Sequence, residues 1–560
     1  EQLKVIDPCM GSGHILCYLF DVLMQIYLDN GYSKREAVRS ILENNLFGLD
    51  IDKRAAQIAY FSVMMKAREY DSGFLDRKDK DGKPKVQQPK VYDIQESNWL
   101  GGAYKHEMGN FLNSQQHRDT LNYLLDAFID AKEYGSILQI KPLDYEGLKE
   151  AWELTASQTA HDMNMAMWYD AVKDSVEQLI EQAILLSQKY DAVVTNPPYM
   201  SAAGMEGTLA EFVKKNYPDT KSDLSTVFME KTMAMCKSQG YMAMINIPVW
   251  MFITSYEKLR ANLLDNESLV NMVHPGRGIF GSDFGTTAFV VYKKHILNYQ
   301  GHYRRLFDKQ GDVETPEVRE QRFFEKRGIY YANQEDFKKI PGLPIAYWVG
   351  ENFIDDFRTG KALGDVCPCK KGMDTSDNDR FLRFWHEVNQ EKFSFGLVED
   401  EKKWYPYDKG GNFRRWYGNK EYVVNYEDNG AELQNSRANL RSKQLYFKEH
   451  ITWSALTAAG TSFRLSDYKS LFDSAGSSAF PNENSIFYIL SIMNTKVFDL
   501  IMGVINPTIN YGAGSVALTP IKQSDEKDKI DRIASNNVEI SRTDWDAFET
   551  SWDFKRHPLV

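Results

Sequence analysis

The residues Asp191-Ala-Val-Val-Thr195 are followed at once by Asn196-Pro197-Pro198-Tyr199. The first group is short, apolar and rich in β-branched side chains behind its leading acid, which predicts a buried strand. The two prolines end that strand because they cannot donate to a ladder, and they hold the residue before them in extended geometry. We therefore predict that Asn196 and Tyr199 lie in a stiff loop at the carboxyl end of a strand, where open α/β sheets bind ligands.

This loop can be interpreted in two ways. A pair of prolines after a strand is also what a rigid turn without any chemistry requires. The complete pattern, Asn-Pro-Pro-Tyr behind an Asp-led hydrophobic strand, is more specific, and it resembles the active-site loop of methyltransferases that methylate a planar amino nitrogen, above all N6 of adenine. The resemblance implies a catalytic loop of four residues: Asn196, Pro197, Pro198 and Tyr199.

The chemistry of adenine explains these residue types. The lone pair of its exocyclic amine is delocalised into the ring, so the nitrogen is a poor nucleophile. The carboxamide oxygen of Asn196 and a main-chain carbonyl of the proline segment can accept its N–H bonds, which favours a pyramidal nitrogen with its lone pair aimed at the methyl group. Tyr199 offers an aromatic face for a base removed from its stack. Neither a metal nor an acid with an extreme pKa is required.

A second motif lies at the start of the chain. Leu3-Lys-Val-Ile6 predicts a first strand, and Asp7-Pro8-Cys9-Met10-Gly11-Ser12-Gly13 leads from it into a helical pattern over His14–Asp29. Two glycines in a strand–helix turn are common, and the third glycine of the dinucleotide pattern is absent. With Asp-Pro ahead of it, the turn resembles the S-adenosylmethionine-binding turn of class I methyltransferases. The resemblance implies a cofactor site lined by Asp7, Pro8, Gly11 and Gly13. Asp7 would face the cationic methionine part of the cofactor.

The next two predicted strands also end in polar residues. Phe47-Gly-Leu-Asp50 is the second strand, and its terminal carboxylate can chelate both ribose hydroxyls of the cofactor. Asp52 is better explained as the N-cap of the helix that follows. The third strand covers residues 91–95, and Glu96 just after it either bonds the cofactor's adenine or is a solvated strand end.

The remaining predictions for this half of the chain concern later elements. Helices are predicted over residues 121–134 and 165–187, within an insertion, and over residues 225–238. Strands are predicted over residues 241–247, 269–273 and, as an antiparallel edge strand, 286–293. Phe280 lies between the last two strands. It is either ordinary core or the second aromatic ring that sandwiches a flipped base, as the methyltransferase resemblance implies.

Composition indicates a large globular protein. Its 560 residues are too many for one ordinary domain, and 43% of them are hydrophobic. The longest apolar run, residues 242–253, is too short for a bilayer span, and we expect no signal peptide ahead of the first strand. Five cysteines suit a reducing cytosol, and Cys367-Pro-Cys369 lacks a second pair at zinc-site spacing. We therefore expect a cytoplasmic protein with no membrane contact and no metal site.

The distribution of charge bears on nucleic-acid binding. The net charge of −11 argues against non-specific coating of nucleic acid, although a local basic groove can still bind it. Residues 402–448 carry ten Lys or Arg against five Asp or Glu, interleaved with ten aromatic residues. Examples are Arg414-Arg415-Trp416-Tyr417, Arg437, Arg441 and Lys443. That mixture suits a DNA surface, because it supplies phosphate contacts and stacking platforms. A solvated surface over an aromatic core has the same composition.

The order of the motifs is informative. A cofactor turn, then Asn-Pro-Pro-Tyr, then a long carboxy-terminal region resembles the gamma arrangement of DNA adenine-N6 methyltransferases. Four further blocks resemble the PglX family of the BREX phage-exclusion system: residues 128–136, 416–420, 451–454 and 480–482. The resemblance implies S-adenosylmethionine-dependent methylation of double-stranded host DNA at a short site, alongside other BREX defence proteins. It does not imply an oligomeric state.

The fold class predicted is α/β, a class I S-adenosylmethionine-dependent methyltransferase with a Rossmann-like mixed sheet, helices on both faces, a helical insertion and a carboxy-terminal α+β target-recognition region. The expected regions are 1–99 (cofactor half), 100–186 (insertion), 187–298 (catalytic half) and 299–560 (recognition). Glu1 is not a start residue, and a core strand begins at once. We therefore expect that this sequence is a segment of a longer protein. In the family a further segment precedes the first strand and completes the cofactor pocket, and we expect that segment to be missing here. Two other functions stay open: an RNA or protein-glutamine methyltransferase, and a non-catalytic DNA-recognition subunit.

Overall fold

The computed structural model describes residues 2–559 except 79, 83, 103, 104, 106, 107, 109, 110, 160–162, 280–284, 309–312, 395–401, 458, 459, 507–509 and 558. The chain forms two compact units. Unit 1 comprises Glu1–Met251 and Ser255–Glu335, and unit 2 comprises Phe252–Thr254 and Asp336–Val560.

A nine-stranded mixed sheet organises unit 1, in the order β3-β2-β1-β4-β5-β7-β6-β8-β9. The strands are β1 Val5–Asp7, β2 Leu46–Asp50, β3 Lys90–Asp93, β4 Tyr190–Thr195, β5 Cys236–Asn246, β6 Ser268–Arg277, β7 Gly285–Tyr292, β8 Gln300–Arg305 and β9 Ile329–Asn333. Strands β1 to β5 pair in parallel, β7 is antiparallel to both β5 and β6, and β8 is parallel to β6. The carboxyl ends of β1 to β6 and β8 therefore share one edge of the sheet.

The mixed α/β sheet confirms the predicted fold class, with one correction. The strand predicted over residues 286–293 is antiparallel, but it is not an edge strand. It pairs with β5 on one side and β6 on the other, and β8 and β9 extend the sheet further. Alternation along a strand reports which of its faces are buried and says nothing about the number of neighbouring strands.

Helices flank these strands. In chain order they are His14–Asp29, Lys34–Ser40, Lys53–Tyr70, Gln115–Ala127, Ala131–Tyr134, Tyr145–Thr159, Met163–Ser187, Gly207–Asn216, Leu224–Met235, Glu257–Asn266, Pro316–Phe324 and Gln334–Phe337. The helix predicted over residues 121–134 is broken, because Asp130 adopts a left-handed backbone (φ 54°). The helix predicted over residues 225–238 ends at Met235, where β5 begins.

The core below the first three strands explains why the amino-terminal turn is rigid. His14–Asp29 and Lys53–Tyr70 pack their apolar faces together over β1 to β3, with Leu16, Phe20 and Val63 fully buried. Burial of such side chains contributes about 1.5–3 kcal/mol each. The turn between β1 and the first helix is thus held from beneath by packed side chains.

Unit 2 is α+β. Its strands are β10 Lys361–Ala362, β11 Cys369–Lys370, β12 Leu382–Phe384, β13 Trp404–Asp408, β14 Tyr422–Asn425, β15 His450–Trp453, β16 Phe463–Ser466, β17 Leu471–Phe472, β18 Ser478–Ala479 and β19 Pro520–Ile521. They form two four-stranded sheets, β11-β18-β15-β16 and β12-β14-β13-β17, and the pair β10-β19. Its further helices are Glu351–Thr359, Leu363–Val366, Asn378–Phe381, Glu427–Gln434, Ile486–Met493, Lys496–Ile505, Ala513–Ala517 and Lys527–Trp545.

No single helix in the described part of the chain is long and apolar enough to cross a bilayer. Glu483–Met493 and Lys496–Ile505 reach that length and apolar composition only together, and the pair is bent by 76°.

Candidate functional site

The two predicted motifs leave neighbouring strands at the same edge of the sheet. β1 pairs in parallel with β4, so that Val5 lies beside Ala192 and Ile6 beside Val193. Asp7 ends β1 and Thr195 ends β4, and both residues are buried. The turn after β1 and the Asn-Pro-Pro-Tyr loop after β4 therefore begin side by side.

Asp7 is a buried acid at this edge whose pKa is strongly raised. Its side chain is completely buried, and its Oδ1 accepts hydrogen bonds from Thr195 Oγ1 at 2.7 Å and from the backbone N–H of Cys9 at 3.0 Å. Its Oδ2 is buried without a hydrogen-bond partner among the described residues. Burial, with a smaller contribution from the nearby Asp50 charge, raises the pKa of Asp7 to about 7. The orphaned oxygen is a place where a cation or an N–H donor would be stabilised.

The glycines of the turn are required by its geometry. Gly13 has φ +85°, and a Cβ there would come within 2.8 Å of the Cα of Ala59 in the helix Lys53–Tyr70. Gly11 has φ +52°, a backbone region that side chains disfavour. Its N–H donates to Asp50 Oδ2 at 2.8 Å. The turn therefore packs closely against the helix Lys53–Tyr70 and is hydrogen-bonded to the end of β2.

Asp50 lies where the sequence placed it, at the end of β2, and it is partly exposed. Its Oδ1 accepts from the N–H of Asp52 at 2.8 Å, in addition to the bond from Gly11. A carboxylate has about four acceptor positions, so Asp50 can still accept from two hydroxyl groups. Asp52 is the N-cap predicted for Lys53–Tyr70: its Oδ1 accepts from the N–H groups of Arg54 at 2.7 Å and Ala55 at 3.0 Å.

The third strand is shorter than predicted, because β3 ends at Asp93, directly beside Asp50. Glu96 follows three residues later and is partly exposed. The strand end is held by the fully buried Gln182, whose Nε2 donates to the Asp93 carbonyl at 3.1 Å and whose Oε1 accepts from the Gln95 N–H at 2.9 Å. These contacts fix the backbone around Glu96, and its role toward a cofactor stays a prediction.

In the Asn-Pro-Pro-Tyr loop the two predicted catalytic side chains contact each other. The hydroxyl of Tyr199 lies 2.6 Å from Asn196 Oδ1 and 3.2 Å from the carbonyl oxygen of Ile245, and it can donate its single hydrogen to either. Burial raises the pKa of Tyr199 to about 12, so the hydroxyl stays a donor at neutral pH. Asn196 and Pro198 are exposed, whereas Pro197 is buried and anchors the loop. Phe280 lies outside the described residues.

The insertion contributes contacts that sequence reasoning missed. Ser136 Oγ, which is buried, donates to the carbonyl of Pro8 at 2.6 Å. The next two carbonyls of the insertion, of Ile137 and Leu138, accept from Tyr217 OH at 2.6 Å and from the buried Lys231 ammonium. This segment therefore packs between the turn after β1 and the helix after the Asn-Pro-Pro-Tyr loop. No sequence signal links Ser136 to Pro8, because 128 residues separate them.

Much of the basic and aromatic stretch at 402–448 is interior or ion-paired. Its tyrosines at 405, 407, 417, 426 and 446 are buried in hydrophobic clusters of unit 2. Arg414 pairs with Asp544, Arg415 Nη2 lies 2.9 Å from Asp499 Oδ2, and Lys420 Nζ lies 3.3 Å from Asp467 Oδ1. These three cations are already compensated within the fold.

A different group of cations in unit 2 is exposed. The loop around 437–443 lies against the segment around 371–376: Ser442 Oγ donates to the Lys371 carbonyl at 3.0 Å, and Ser376 Oγ to the Arg437 carbonyl at 2.8 Å. We define the basic patch as Lys370, Lys371, Arg437, Arg441 and Lys443, all of them exposed. None of the five forms an ion pair within the part of the chain that the structure describes.

Known proteins are similar to this chain in sequence. The family model for the Eco57I restriction-modification methylase matches residues 44–280. The adenine-specific methyltransferase BrxX of Escherichia coli O9:H4 (strain HS) is 38% identical over 585 residues, covering 100% of this chain and 47% of the relative. The adenine-specific methyltransferase PglX of Lacticaseibacillus casei (strain Zhang) is 35% identical over 589 residues, with the same coverage of 100% and 47%. The chain thus spans about half the length of these curated relatives.

Solved structures share the fold at much lower identity. The type ISP restriction-modification enzyme LlaBIII bound to DNA gives a TM-score of 0.52 at 11% identity, over 97% of this chain and 37% of that one. The type IIL restriction-modification enzyme MmeI in complex with DNA gives a TM-score of 0.52 at 11% identity, over 99% of this chain and 66% of that one. At these identities the similarity concerns the fold alone.

Proposed function

We propose, because the chain is homologous over its whole length to the adenine-specific methyltransferases PglX and BrxX, that it transfers a methyl group to N6 of adenine in double-stranded DNA. The observation that carries the proposal is the hydrogen bond between Thr195 Oγ1 and Asp7 Oδ1 at 2.7 Å. It joins the start of the predicted catalytic loop to the start of the predicted cofactor turn. A donor of methyl groups and a flipped base would then meet at one edge of the sheet.

The residues of the turn fit S-adenosylmethionine, which would supply a methyl group on a positively charged sulfur. The buried Asp7 has an orphaned Oδ2 that suits a cationic ligand group. Gly11 and Gly13 carry no side chain that could block the main chain of the turn, and Asp50 retains acceptor positions for ribose hydroxyls. We assign the cofactor contacts to Asp7, Pro8, Gly11, Gly13, Asp50 and Glu96.

The loop residues would orient the amine. Asn196 Oδ1 has a second lone pair beside the one that accepts from Tyr199, and it can accept an N–H of the base. A carbonyl of the Pro197–Pro198 segment can accept the other. Both groups are weak bases, so they direct the lone pair of the nitrogen and leave its proton to pass to water. The rate gain is then one of orientation and fixed dipoles.

Recognition of DNA is assigned to the region beyond residue 299, whose first strands, β8 and β9, still belong to the nine-stranded sheet. Within it, the exposed basic patch is a better candidate for phosphate contacts than Arg414 and Arg415, which are ion-paired. One of the two relatives is named PglX, and the sequence resemblance to the PglX family implies the BREX phage-exclusion system. We extend that to a role beside other BREX proteins in the cytoplasm, where host DNA would be marked.

One assay tests the proposal against the two open alternatives. S-adenosylmethionine with a labelled methyl group is supplied with unmodified double-stranded DNA, RNA or protein, and the modified product is digested to identify the methylated atom. Label at N6 of adenine in DNA, lost in Asn196→Ala, supports the proposal. Label in RNA or in glutamine of protein overturns the substrate. Tight DNA binding without label in any substrate overturns the enzymatic function and leaves a recognition subunit.

A further inference from the structure

A cavity lies in unit 1, and none of the residues assigned to the candidate cofactor site lines it. It has a volume of about 420 Å³, within the range of roughly 300–1,000 Å³ typical of small-molecule sites. Its walls come from the helices Leu224–Met235 and Glu257–Asn266, with Glu267 and Lys293 at one end. Glu267 precedes β6 and Lys293 follows the antiparallel β7, so this end lies at the edge of the sheet opposite Asp7 and Asn196.

Glu267 is the unusual residue of this cavity. Its side chain is only 8% exposed, and its carboxylate has no hydrogen bond or ion pair to any residue that the structure describes. Its backbone is fixed, because its N–H donates to the Leu263 carbonyl at 3.0 Å and its carbonyl accepts from Gln334 Nε2 at 2.8 Å. Burial raises the pKa of Glu267 to about 7. The cavity is half open, so water reaches this carboxylate, and a cationic ligand group would give it charge-assisted hydrogen bonds that the protein does not supply.

The charge of Lys293 acts on Glu267 from a distance and lowers its pKa, but the ammonium groups of the two lysines in the lining make their contacts elsewhere. Lys293 Nζ donates to the Cys236 carbonyl at 2.9 Å, and Lys258 Nζ pairs with Asp219 Oδ1 at 3.1 Å. A second acid, Glu230, also lines the cavity; its Oε2 accepts from Thr220 Oγ1 at 2.8 Å, and burial raises its pKa. The side chains that remain open to the cavity therefore include two carboxyl groups whose acceptor positions are not filled.

Most of the remaining lining is apolar, with Asn262 as the polar exception. The apolar side chains are those of Met229, Met233, Ala234, Met242, Leu259 and Leu263. Methionine side chains adapt to ligands of irregular shape. A ligand that suits both parts of the cavity has an apolar stem and a positively charged end with several N–H donors.

We propose that this cavity binds an organic cation, a primary amine or a guanidinium on an apolar stem, whose charged end pairs with Glu267. Charge-assisted hydrogen bonds to the carboxylate would replace the solvation that burial removes. The stem would lie against the methionines and leucines. The same chemistry is offered by a free polyamine and by a lysine or arginine side chain of another protein. The inference does not rest on methyl transfer.

The test uses two probes of the same shape, the cation n-butylguanidinium and the neutral n-butylurea. Calorimetry measures the binding of each to the intact chain. We expect saturable binding of n-butylguanidinium only, with affinity at least about tenfold lower in Glu267→Gln. Glu211→Gln, on the exposed side of the helix Gly207–Asn216, removes the same charge elsewhere and should bind like the unmodified protein. If Glu267→Gln does not fold by circular dichroism, Glu230→Gln takes its place, with a loss of several-fold.

The outcomes separate the possibilities. Equal binding of the urea, no saturable binding, or binding unaffected by substitution of both glutamates would overturn the proposal. Spermidine and the peptide amide acetyl-Leu-Arg-Leu then distinguish the two sources of the cation. Preferential binding of spermidine assigns the site to a free polyamine, and preferential binding of the peptide assigns it to a protein side chain; either result supports the site itself.

Discussion

Thr195 donates a hydrogen bond through its hydroxyl to the buried carboxyl group of Asp7, 2.7 Å away. The two residues are 188 positions apart in the chain and end adjacent parallel strands. Among the described residues, Thr195 is the one side-chain donor to Asp7, and the backbone N–H of Cys9 is the second donor. It couples the geometry of the turn to that of the Asn-Pro-Pro-Tyr loop, which follows Thr195 directly.

Thr195→Val should break this coupling while keeping the shape of the side chain. A buried acceptor then loses a donor, which costs about 1–3 kcal/mol of the free energy of unfolding. S-adenosylmethionine should also bind more weakly, because Asp7 is no longer held. Urea unfolding and calorimetry measure the two effects. Thr195→Ser, which retains the hydroxyl, is the control, and a Val variant that matches it in both measurements contradicts the role assigned to the bond.

Asp7 also predicts how stability depends on pH. Its pKa is raised from 3.8 to about 7 in the folded state, so the folded protein holds a proton that the unfolded chain has already lost. Stability is therefore expected to fall as pH rises from about 4 to about 7, and the cost is fully present above that range. Asp7→Asn should flatten this part of the profile of unfolding free energy against pH.

The control for this profile is Asp29→Asn, which alters an exposed acid at the end of the first helix. It should leave the slope unchanged. A cationic ligand beside Asp7 lowers its pKa, so binding of S-adenosylmethionine near pH 7 is expected to release protons, visible as a buffer-dependent binding enthalpy. An Asp7→Asn profile that keeps the slope of the unmodified protein would show that another group is responsible.

Asp50→Ala should weaken S-adenosylmethionine binding by about 1–3 kcal/mol, the scale of an unpaired buried hydroxyl. The structure adds a second reason, since the same carboxylate accepts from the Gly11 N–H and so shapes the turn. Asp52→Ala is a matched control two residues away: it removes an N-cap, which costs about 0.5–2 kcal/mol of stability, and should leave cofactor affinity intact. Equal affinity in Asp50→Ala and the unmodified protein would remove Asp50 from the site.

The local parts of the fold were predictable because their signals are local. The first helix has the predicted bounds, His14–Asp29. Both signals are local, because the apolar periodicity lies within the helix and Gly13 comes directly before it. Asp52 was recognised as a cap from its position alone. Two motifs whose residue types are dictated by chemistry predict a site at Asp7 and Asn196, and the strands that precede these residues are neighbours in the sheet.

The long-range parts were not predictable from one sequence. The partners of Arg415 and Arg414 lie 84 and 130 residues away, so composition could not show that these cations are compensated. The internal position of β7 depends on its pairing with β6 as well as β5, and the sequence of a strand does not show which strands lie beside it. Ser136 belongs to an insertion without a motif, and only the fold brings it to Pro8.

Replacing Arg437, Arg441 and Lys443 together by alanine should lower DNA affinity and its salt dependence. Each lost phosphate contact removes about one released counterion from the slope of log affinity against log salt. These side chains are exposed and form no ion pair among the described residues, so the loss of stability should be small. Fluorescence anisotropy over a series of salt concentrations measures the slope.

The comparison variant is Arg414→Ala/Arg415→Ala, which breaks the ion pairs with Asp544 and Asp499. It should reduce the free energy of unfolding by up to about 1 kcal/mol per pair and leave the salt slope nearly unchanged. The reverse result would be a flatter salt slope in this variant and an unchanged slope in the triple alanine variant. It would place the DNA at Arg414 and Arg415 and not at the basic patch.

Asn196 and Tyr199 should respond differently to substitution, because one is proposed to orient the amine and the other to support the base. Asn196→Ala should reduce turnover by roughly 10²-fold or more, the scale of losing one preorganised polar group, with DNA affinity nearly unchanged because phosphate contacts supply most of it. Tyr199→Ala should weaken binding of the flipped base by about 1–3 kcal/mol of stacking free energy. Tyr199→Phe keeps the ring and should stay active.

The hydroxyl of Tyr199 makes the Phe variant informative. It donates to Asn196 Oδ1 in this structure, so its removal frees the carboxamide to rotate and should cost turnover modestly while base stacking persists. A 2-aminopurine at the target position reports the extruded base through its fluorescence, independently of turnover. Normal methylation by Asn196→Ala would refute the orienting role. Equal impairment of Tyr199→Phe and Tyr199→Ala would show that the hydroxyl, through Asn196, matters and that the aromatic face does not.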